Sequence, residues 1–363
     1  MQQSICRWGI LGTANIARKN WQAIRNAGNS SLVAVASRNR TRAQQFIDEC
    51  QADVAFSPAP AACGSYEELL ARKDIDAVYV PLPTGIRKEW VIRAAAAGKH
   101  VLCEKPCGVN GDDLRLMLDA CRTNRVQFMD GVMFMHSRRL PLVRQVLEDD
   151  HSIGTIRRIA SQFSFLAPDD FFTHNIRASN DLEPLGALGD LGWYNIRFSL
   201  WTMKEQLPER VAGRILARHG DIPTEFSGEL FFPGGASAAF YCSFRTQHQA
   251  WANISGTKGY LQLNDFVLPS YGSESSFEVN NSVFHVQGCT FNMEAHPRRF
   301  AVAEYSNNMP NSQETNMVRT FANAVVSGKL EPIWGETALK TQQILDACLQ
   351  SAREGSKVVD LKI

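Results

Sequence analysis

The sequence predicts an α/β protein in two parts: a doubly wound parallel sheet at the N-terminal end, then an α+β domain on a large, mostly antiparallel open sheet. Three observations point there. Apolar runs alternate with helical stretches from residue 6 to about 134, as parallel β–α repeats require. After about 135, strand-like runs flank Pro233-Gly234-Gly235 and Gly256-Thr257-Lys258-Gly259, as antiparallel hairpins do. At 363 residues the chain is also too long for one ordinary core. We place the boundary so that residues 1–134 form the first domain and 135–363 the second.

Cys6 to Leu11 reads as a short buried strand, followed by Gly12-Thr13-Ala14-Asn15-Ile16-Ala17 and a helix to about Ala27. This is the Gly-x-Gly-x-x-Gly dinucleotide fingerprint with alanine at its second and third glycines. Gly12 permits the tight turn. Ala14 still lets backbone approach a pyrophosphate, which would rest on the N–H groups that open the helix. Leu32 to Ala36 is a continuous apolar run, as in a strand covered on both faces. An NAD-binder usually carries an acid at the end of this strand, for the ribose hydroxyls. Here the chain reads Ser37-Arg38-Asn39-Arg40-Thr41-Arg42. Ser37, Arg38 and Arg42 suit a 2′-phosphate, so the expected cofactor is NADP, with NAD second.

Residues 43–50 continue a helix, 51–64 read as irregular, and 66–70 as a short helix. Ile75 to Val80 is the next strand, and it runs into the stiff turn Pro81-Leu82-Pro83-Thr84. Glu89 to Ala97 reads as a helix capped by Gly98. Then comes His100-Val101-Leu102-Cys103-Glu104-Lys105-Pro106. A strand interior does not hold a charged pair followed by proline. The strand therefore ends here and delivers Glu104 and Lys105 to the crevice where open α/β sheets bind ligands. Lys105 is the first candidate for catalysis. Residues 112–123 read as a helix and 126–134 as a strand.

In the second part, residues 138–147 read as a helix and 156–165 as a strand. Residues 166–185 form a long polar loop that carries His174 and Arg177, candidates for substrate contact. Gly186 to Gly189 leads into a helix over 190–203, where Asp190 and Tyr194 are spaced to share a face. Gly192 between them suggests close approach of a backbone or a cofactor ring. Strands follow at 226–232, 236–244, 249–255 and 260–264. Residues 272–312 carry no clear period. Helices at 314–327 and 336–354 and a last strand at 358–361 close the chain. Lys105, Asp190 and Tyr194 make a plausible acid–base set.

Composition bounds the function. There are 38 basic and 37 acidic residues, which gives no pull on nucleic acid or membrane surfaces. No apolar run approaches the ~18 residues of a membrane span. Met1 to Trp8 carries no secretion signal. Nine scattered cysteines without a Cys-x-x-Cys fit reduced thiols in the cytoplasm. Eight histidines form no ligand-spaced pair, so no metal is expected. The run Ala236 to Phe244 is apolar or small on both faces, and the face turned from the helices needs cover. A homodimer or dimer of dimers through this sheet is expected.

Several of these motifs together resemble the glucose–fructose oxidoreductase / inositol dehydrogenase (Gfo/Idh/MocA) family over nearly the whole chain. They are Gly12 to Ala17, Ala36-Ser37-Arg38, Val78 to Thr84, Ala97 to Pro106 and Gly186 to Tyr194. The resemblance implies a Rossmann NAD(P)-binding domain at 1–134. The domain at 135–363 would bind substrate and pair subunits through its open sheet. It implies hydride transfer between nicotinamide and a sugar, polyol or related diol or carbonyl. Lys105, Asp190 and Tyr194 sit at the family's catalytic positions, the Ser37-Arg38 pair looks like that of NADP users, and the Lys105–Pro106 bond is cis in such proteins. Three features depart from the pattern. Ala14 and Ala17 replace glycines, Arg87 stands where histidine is usual, and Met133-Phe134-Met135 lacks an arginine. A trans-dihydrodiol dehydrogenase is the rival enzyme reading, and an NADP-binding sensor on the same fold is the alternative from another class.

Overall fold

The computed structural model describes residues 5–168 and 170–361, with the side chains of Thr173, His174 and Ala178 outside that description. Two compact units emerge. The first takes the described residues up to His136, then Asn175–Pro184 and Asn307–Gln342; the second takes the rest.

In the first unit, six strands form one sheet: β1 (Cys6–Leu11), β2 (Ser30–Ala36), β3 (Ala61–Cys63), β4 (Ala77–Val80), β5 (His100–Cys103) and β6 (Phe128–Asp130). Their order is β3-β2-β1-β4-β5-β6 and every pairing is parallel. Such an order reverses between β1 and β4, and the crevice at that reversal is where dinucleotides bind. Helices α1 (Asn15–Asn26), α2 (Arg40–Asp53), α3 (Tyr66–Leu70), α4 (Thr84–Ala96) and α5 (Gly111–Thr123) make the crossovers. The expected fold class holds. Three details differ. The 51–64 segment contains β3. The helix read from Glu89 begins at Thr84, directly after Pro83, because proline needs no hydrogen-bond donor ahead of a first turn. The strand read over 126–134 stops at Asp130, and Met133–His136 is a 3₁₀ turn.

The second unit holds α6 (Arg139–Glu148), β7 (Ile156–Leu166), a one-turn α7 (Phe171–His174) and α8 (Trp193–Thr202). Strands β8 (Arg210–His219), β9 (Ile222–Phe231), β10 (Ser237–Ser243), β11 (Arg245–Gly256), β12 (Tyr260–Leu263) and β13 (Glu274–Asn280) follow. β14 (Val283–Gln287), β15 (Thr290–Glu294) and β16 (Pro297–Ala303) resolve the stretch whose sequence has no clear period. The chain then forms α9 (Gln313–Ser327), α10 (Ile333–Arg353) and β17 (Val359–Asp360).

Nine strands pair in the order β16-β13-β12-β11-β7-β10-β9-β8-β17. Among the described residues all these pairs are antiparallel except β7 with β10. Alternation sends Ala238, Phe240 and Cys242 of β10 into the core, while Ser237, Ala239 and Tyr241 stay half-exposed on the other face. β8 carries arginine at every fourth residue, Arg210, Arg214 and Arg218, with small and apolar residues between, so its sequence shows no clean alternation. β14 and β15 form a separate ribbon whose paired Phe284–Met293 and Val286–Phe291 share one exposed apolar face.

The first compact unit also draws in segments from beyond residue 134. Segment 175–184 joins the first because Leu182 O accepts from Gly85 N at 2.9 Å and the Glu183 carboxylate takes Thr84 N and Oγ1 at 3.1 and 2.6 Å. α9 joins it because Phe321 packs on Trp8 of β1, ring centres 5.0 Å apart. These are contacts between residues far apart in the chain, and no local pattern announces them.

Candidate active site

In the first unit the candidate residues stand at the carboxyl ends of parallel strands. β1 ends in Gly12, whose φ of +110° is open to glycine. Its N–H donates to Ala36 O at 2.9 Å, and a Cβ there would meet Leu82 Cδ2 at 3.0 Å. Thr13 Oγ1 accepts from Arg42 Nε at 3.0 Å. Ala14 caps α1 without a side-chain hydrogen bond, so no side chain competes there for the N–H groups that begin with Asn15 and Ile16. An anion suits those donors and the positive end of the helix.

β2 ends in Ser37, buried, and Arg38, exposed. Arg40 is committed to Ala62 O and Glu68, and Arg42 to Thr13. Arg38 holds no hydrogen bond or ion pair among the described residues. The Tyr66 hydroxyl lies 3.8 Å from the point where a Gly12 Cβ would stand. Burial pushes that hydroxyl's pKa up, and the Arg38 and Arg42 charges pull it back. The sequence reading missed Tyr66; its one signal is its place at the start of the helix after β3. The open N–H groups, the bare Gly12 and the exposed arginine fit a dinucleotide with a 2′-phosphate.

After β4, Leu82 is buried and Thr84 Oγ1 is held by Glu183. After β5, Glu104 sits at the end of a buried chain of hydrogen bonds. Asn20 Nδ2 donates to Tyr79 Oη at 2.6 Å, and Tyr79 Oη donates to Glu104 Oε1 at 2.6 Å. Burial, and the bond to Glu104, push the Tyr79 hydroxyl well above its ordinary pKa, so it serves as a donor. Glu104 Oε2 accepts from the Lys105 backbone N–H at 3.2 Å. Both carboxylate oxygens thus hold the turn that presents Lys105, a half-buried residue whose bond to Pro106 is cis.

In the second unit, the expected continuous α-helix over 190–203 is instead a π-helical turn, Leu188–Gly192, followed by α8. Asp190 lies in the π turn and Tyr194 in α8, so simple i, i+4 spacing does not set their relation. Tyr194 is 6% exposed and its ring packs edge-on to Phe163 of β7 at 5.4 Å. A Cβ at Gly192 would meet Leu188, Cys242 and Phe240 side chains at 3.0, 3.3 and 3.7 Å. The glycine lets the π turn lie close on β10. Arg177 occupies a 3₁₀ turn whose Asn175 side chain accepts from its N–H at 3.0 Å, within a segment of the first unit. The His174 side chain lies outside the described residues.

A groove of about 930 Å³ also crosses the second unit's sheet, lined by Arg158, Trp251, Asn253, Gln262, Asn264 and Tyr271 among others. It lies on the face opposite Phe163 and Tyr194, and no candidate site residue lines it. Among the described residues no cluster of three or more His, Cys, Asp or Glu could hold a metal ion, and no helix is long and apolar enough to cross a membrane.

Comparison with known proteins agrees with this arrangement. Residues 6–132 match the model of an oxidoreductase family with an NAD-binding Rossmann fold, and residues 142–262 match the GFO/IDH/MocA C-terminal domain. The chain is 32% identical to a D-xylose 1-dehydrogenase (NADP(+)) of Haloferax volcanii over 97% of this chain and 98% of that one. It is 30% identical to a trans-1,2-dihydrobenzene-1,2-diol dehydrogenase of Mus musculus over 73% and 76% of the two chains. The crystal structure of a 3-ketoreductase from Actinomadura kijaniata, in complex with NADP and TDP-benzene, superposes with a TM-score of 0.79. That pair is 26% identical, with 96% of this chain and 98% of that one covered. The chain therefore belongs to the Gfo/Idh/MocA family of oxidoreductases.

Proposed function

We propose that the protein is an NADP-dependent oxidoreductase acting on a CH–OH group, or the matching carbonyl, of a sugar, polyol or related diol. The observation that carries this reading is the row of strand ends in the first unit: Gly12, Arg38, Leu82 and Lys105 all follow the carboxyl ends of parallel strands flanking one switch point. The NADP in the name of the Haloferax enzyme and in the Actinomadura complex supports the cofactor.

Gly12, Thr13, Ala14, Asn15 and Ile16 would cradle the pyrophosphate through backbone N–H groups. Ser37, Arg38 and Arg42 would take the 2′-phosphate. Pro81, Leu82, Pro83 and Thr84, with Glu104 and Lys105, would line the remaining length. When bound, NADP supplies or accepts the hydride. The proton belongs to the protein: Lys105 and Tyr194 pass it to or from the reacting oxygen, and Asp190 sets their charge. Arg177 and His174 would orient substrate hydroxyls. NADP(H) turnover against a panel of aldoses, ketoses and trans-diols tests the reading. Turnover of sugars is the expected result, and the similarity to the mouse enzyme makes trans-diols the rival outcome. Tight NADP binding without turnover of any of them would favour a sensor.

We also propose a homodimer or dimer of dimers through the sheet face that bears Ala239, Tyr241 and Trp251, checked by light scattering at micromolar concentration. A monomeric mass would contradict it. All nine cysteines are unpaired, eight of them buried, which supports a reducing, cytoplasmic setting.

A further inference from the structure

We propose that Arg87 is a positioning residue that ties the loop after β4 to the Lys105 turn after β5; this rests on the reading of Lys105 as catalytic. The β4–β5 ladder runs from Ala77–His100 to Val80–Cys103, and Glu104 N extends it to Val80 O at 3.2 Å. Beyond that point Pro81, Pro83 and Pro106 have no N–H to give. The two loops are therefore short of donors where they leave the sheet, and Leu82, Glu104 and Pro106 are buried there.

Arg87 supplies those donors from the first turns of α4. Its Nε donates to Leu82 O at 2.9 Å and its Nη1 to Glu104 O at 2.9 Å, while Nη1 also reaches Pro106 O and Nη2 reaches Leu82 O. Nη1 further lies 3.3 Å from Thr84 Oγ1, which donates to Glu183 Oε2 at 2.6 Å. The residue is 3% exposed. One planar guanidinium thus bonds the carbonyls on both sides of Lys105 and one across the switch-point loop. A lysine ammonium is a point donor and cannot span them in one plane. A neutral imidazole in its place would have only one N–H to give. Holding both flanks of the Lys105 peptide fixes where its side chain starts.

The test uses Arg87→Lys, Arg87→His and Arg87→Ala in the full chain, with Lys105→Met as control. NADPH binding is measured by fluorescence titration. kcat and KM are measured with whichever substrate of the panel above the wild type turns over fastest, and kcat is counted per NADPH-binding site. A loss of folded protein lowers the number of sites and leaves kcat per site unchanged. The expected result is a fall in kcat per site of about 10²-fold in Arg87→Lys and Arg87→His, the size of effect a ~1 Å misplacement brings. KM should stay within about threefold. Guanidinium ion should restore part of the loss in Arg87→Ala; should that variant not fold, the other two decide. If kcat per site stays within about threefold of wild type in Arg87→Lys and Arg87→His while Lys105→Met is impaired, Arg87 is only structural and the proposal falls. If Lys105→Met keeps full turnover, the catalytic reading beneath it falls instead.

Discussion

Lys105 stands at the end of a parallel strand, in a turn anchored by Glu104, Tyr79 and Arg87, whereas Tyr194 stands on a helix held by Phe163 and the sheet beneath it. The first residue is placed by backbone topology and buried polar bonds. The ring of the second packs edge-on to Phe163, on a helix that follows a π turn. Polar bonds fail all at once when a partner is removed, because the remaining group is left buried and unsatisfied. Apolar packing tolerates substitution best where side-chain volume is kept. Substitutions should therefore separate chemistry from architecture cleanly on the Tyr194 side and less cleanly around Lys105.

Tyr194→Phe sharpens that contrast most. It keeps the ring against Phe163 and removes the hydroxyl to which the proton is assigned. Turnover should fall by ~10²–10⁴, with the melting temperature and NADP affinity unchanged in thermal scans and titrations. A variant that unfolds would show that the hydroxyl, and not the ring, holds the helix.

Arg38→Asp probes the exposed end of the first unit. NADP affinity should drop by roughly 10- to 100-fold, the worth of one charge-assisted bond, while NAD affinity holds or rises. Calorimetry that finds equal affinities for the two cofactors in the wild type would contradict the role given to Ser37 and Arg38.

The smallest effect concerns the other end of β5. His100 Nδ1 accepts from Gln127 N at 2.8 Å, and burial lowers the imidazole's pKa, with Asp76 opposing. The unfolded chain takes up this proton first, at its ordinary value of 6.5. The stability it contributes is therefore complete above that pH and lost as pH falls below it. His100→Asn, which accepts the same N–H without titrating, should narrow the acid-induced drop in melting temperature between pH 7 and pH 5 by about 2 °C. An unchanged drop would remove His100 from the account.

The contrast also explains what could be read from sequence. Gly12, the Ser37-Arg38 strand end and the Lys105 turn are local patterns: an apolar run stopped by residues that no strand interior holds. The parallel character of the first sheet was legible with them, in the alternation of strand and helix; its strand order was not. Tyr66, Arg87 and Glu183 escaped because their roles depend on carbonyls, hydroxyls and N–H groups brought close only by folding. The π turn escaped because nothing local in Gly186 to Gly192 sets it apart from the start of an α-helix; in the structure Gly192 lies against Cys242 and Phe240 of β10. The β14–β15 ribbon escaped because its Phe284, Val286, Phe291 and Met293 are interrupted by a turn and polar partners, and the alternation is too short to stand out.

The most direct test of the central claim is Lys105→Met, assayed for NADP binding and for turnover in the same preparation. The contacts proposed for the pyrophosphate and the 2′-phosphate follow β1 and β2, so binding should stay within about tenfold. Turnover should fall by ~10²–10⁴, and adding Tyr194→Phe should cost less than the product of the two single effects, since the two groups act on one proton. Full turnover by NADP-bound Lys105→Met would contradict the assignment outright.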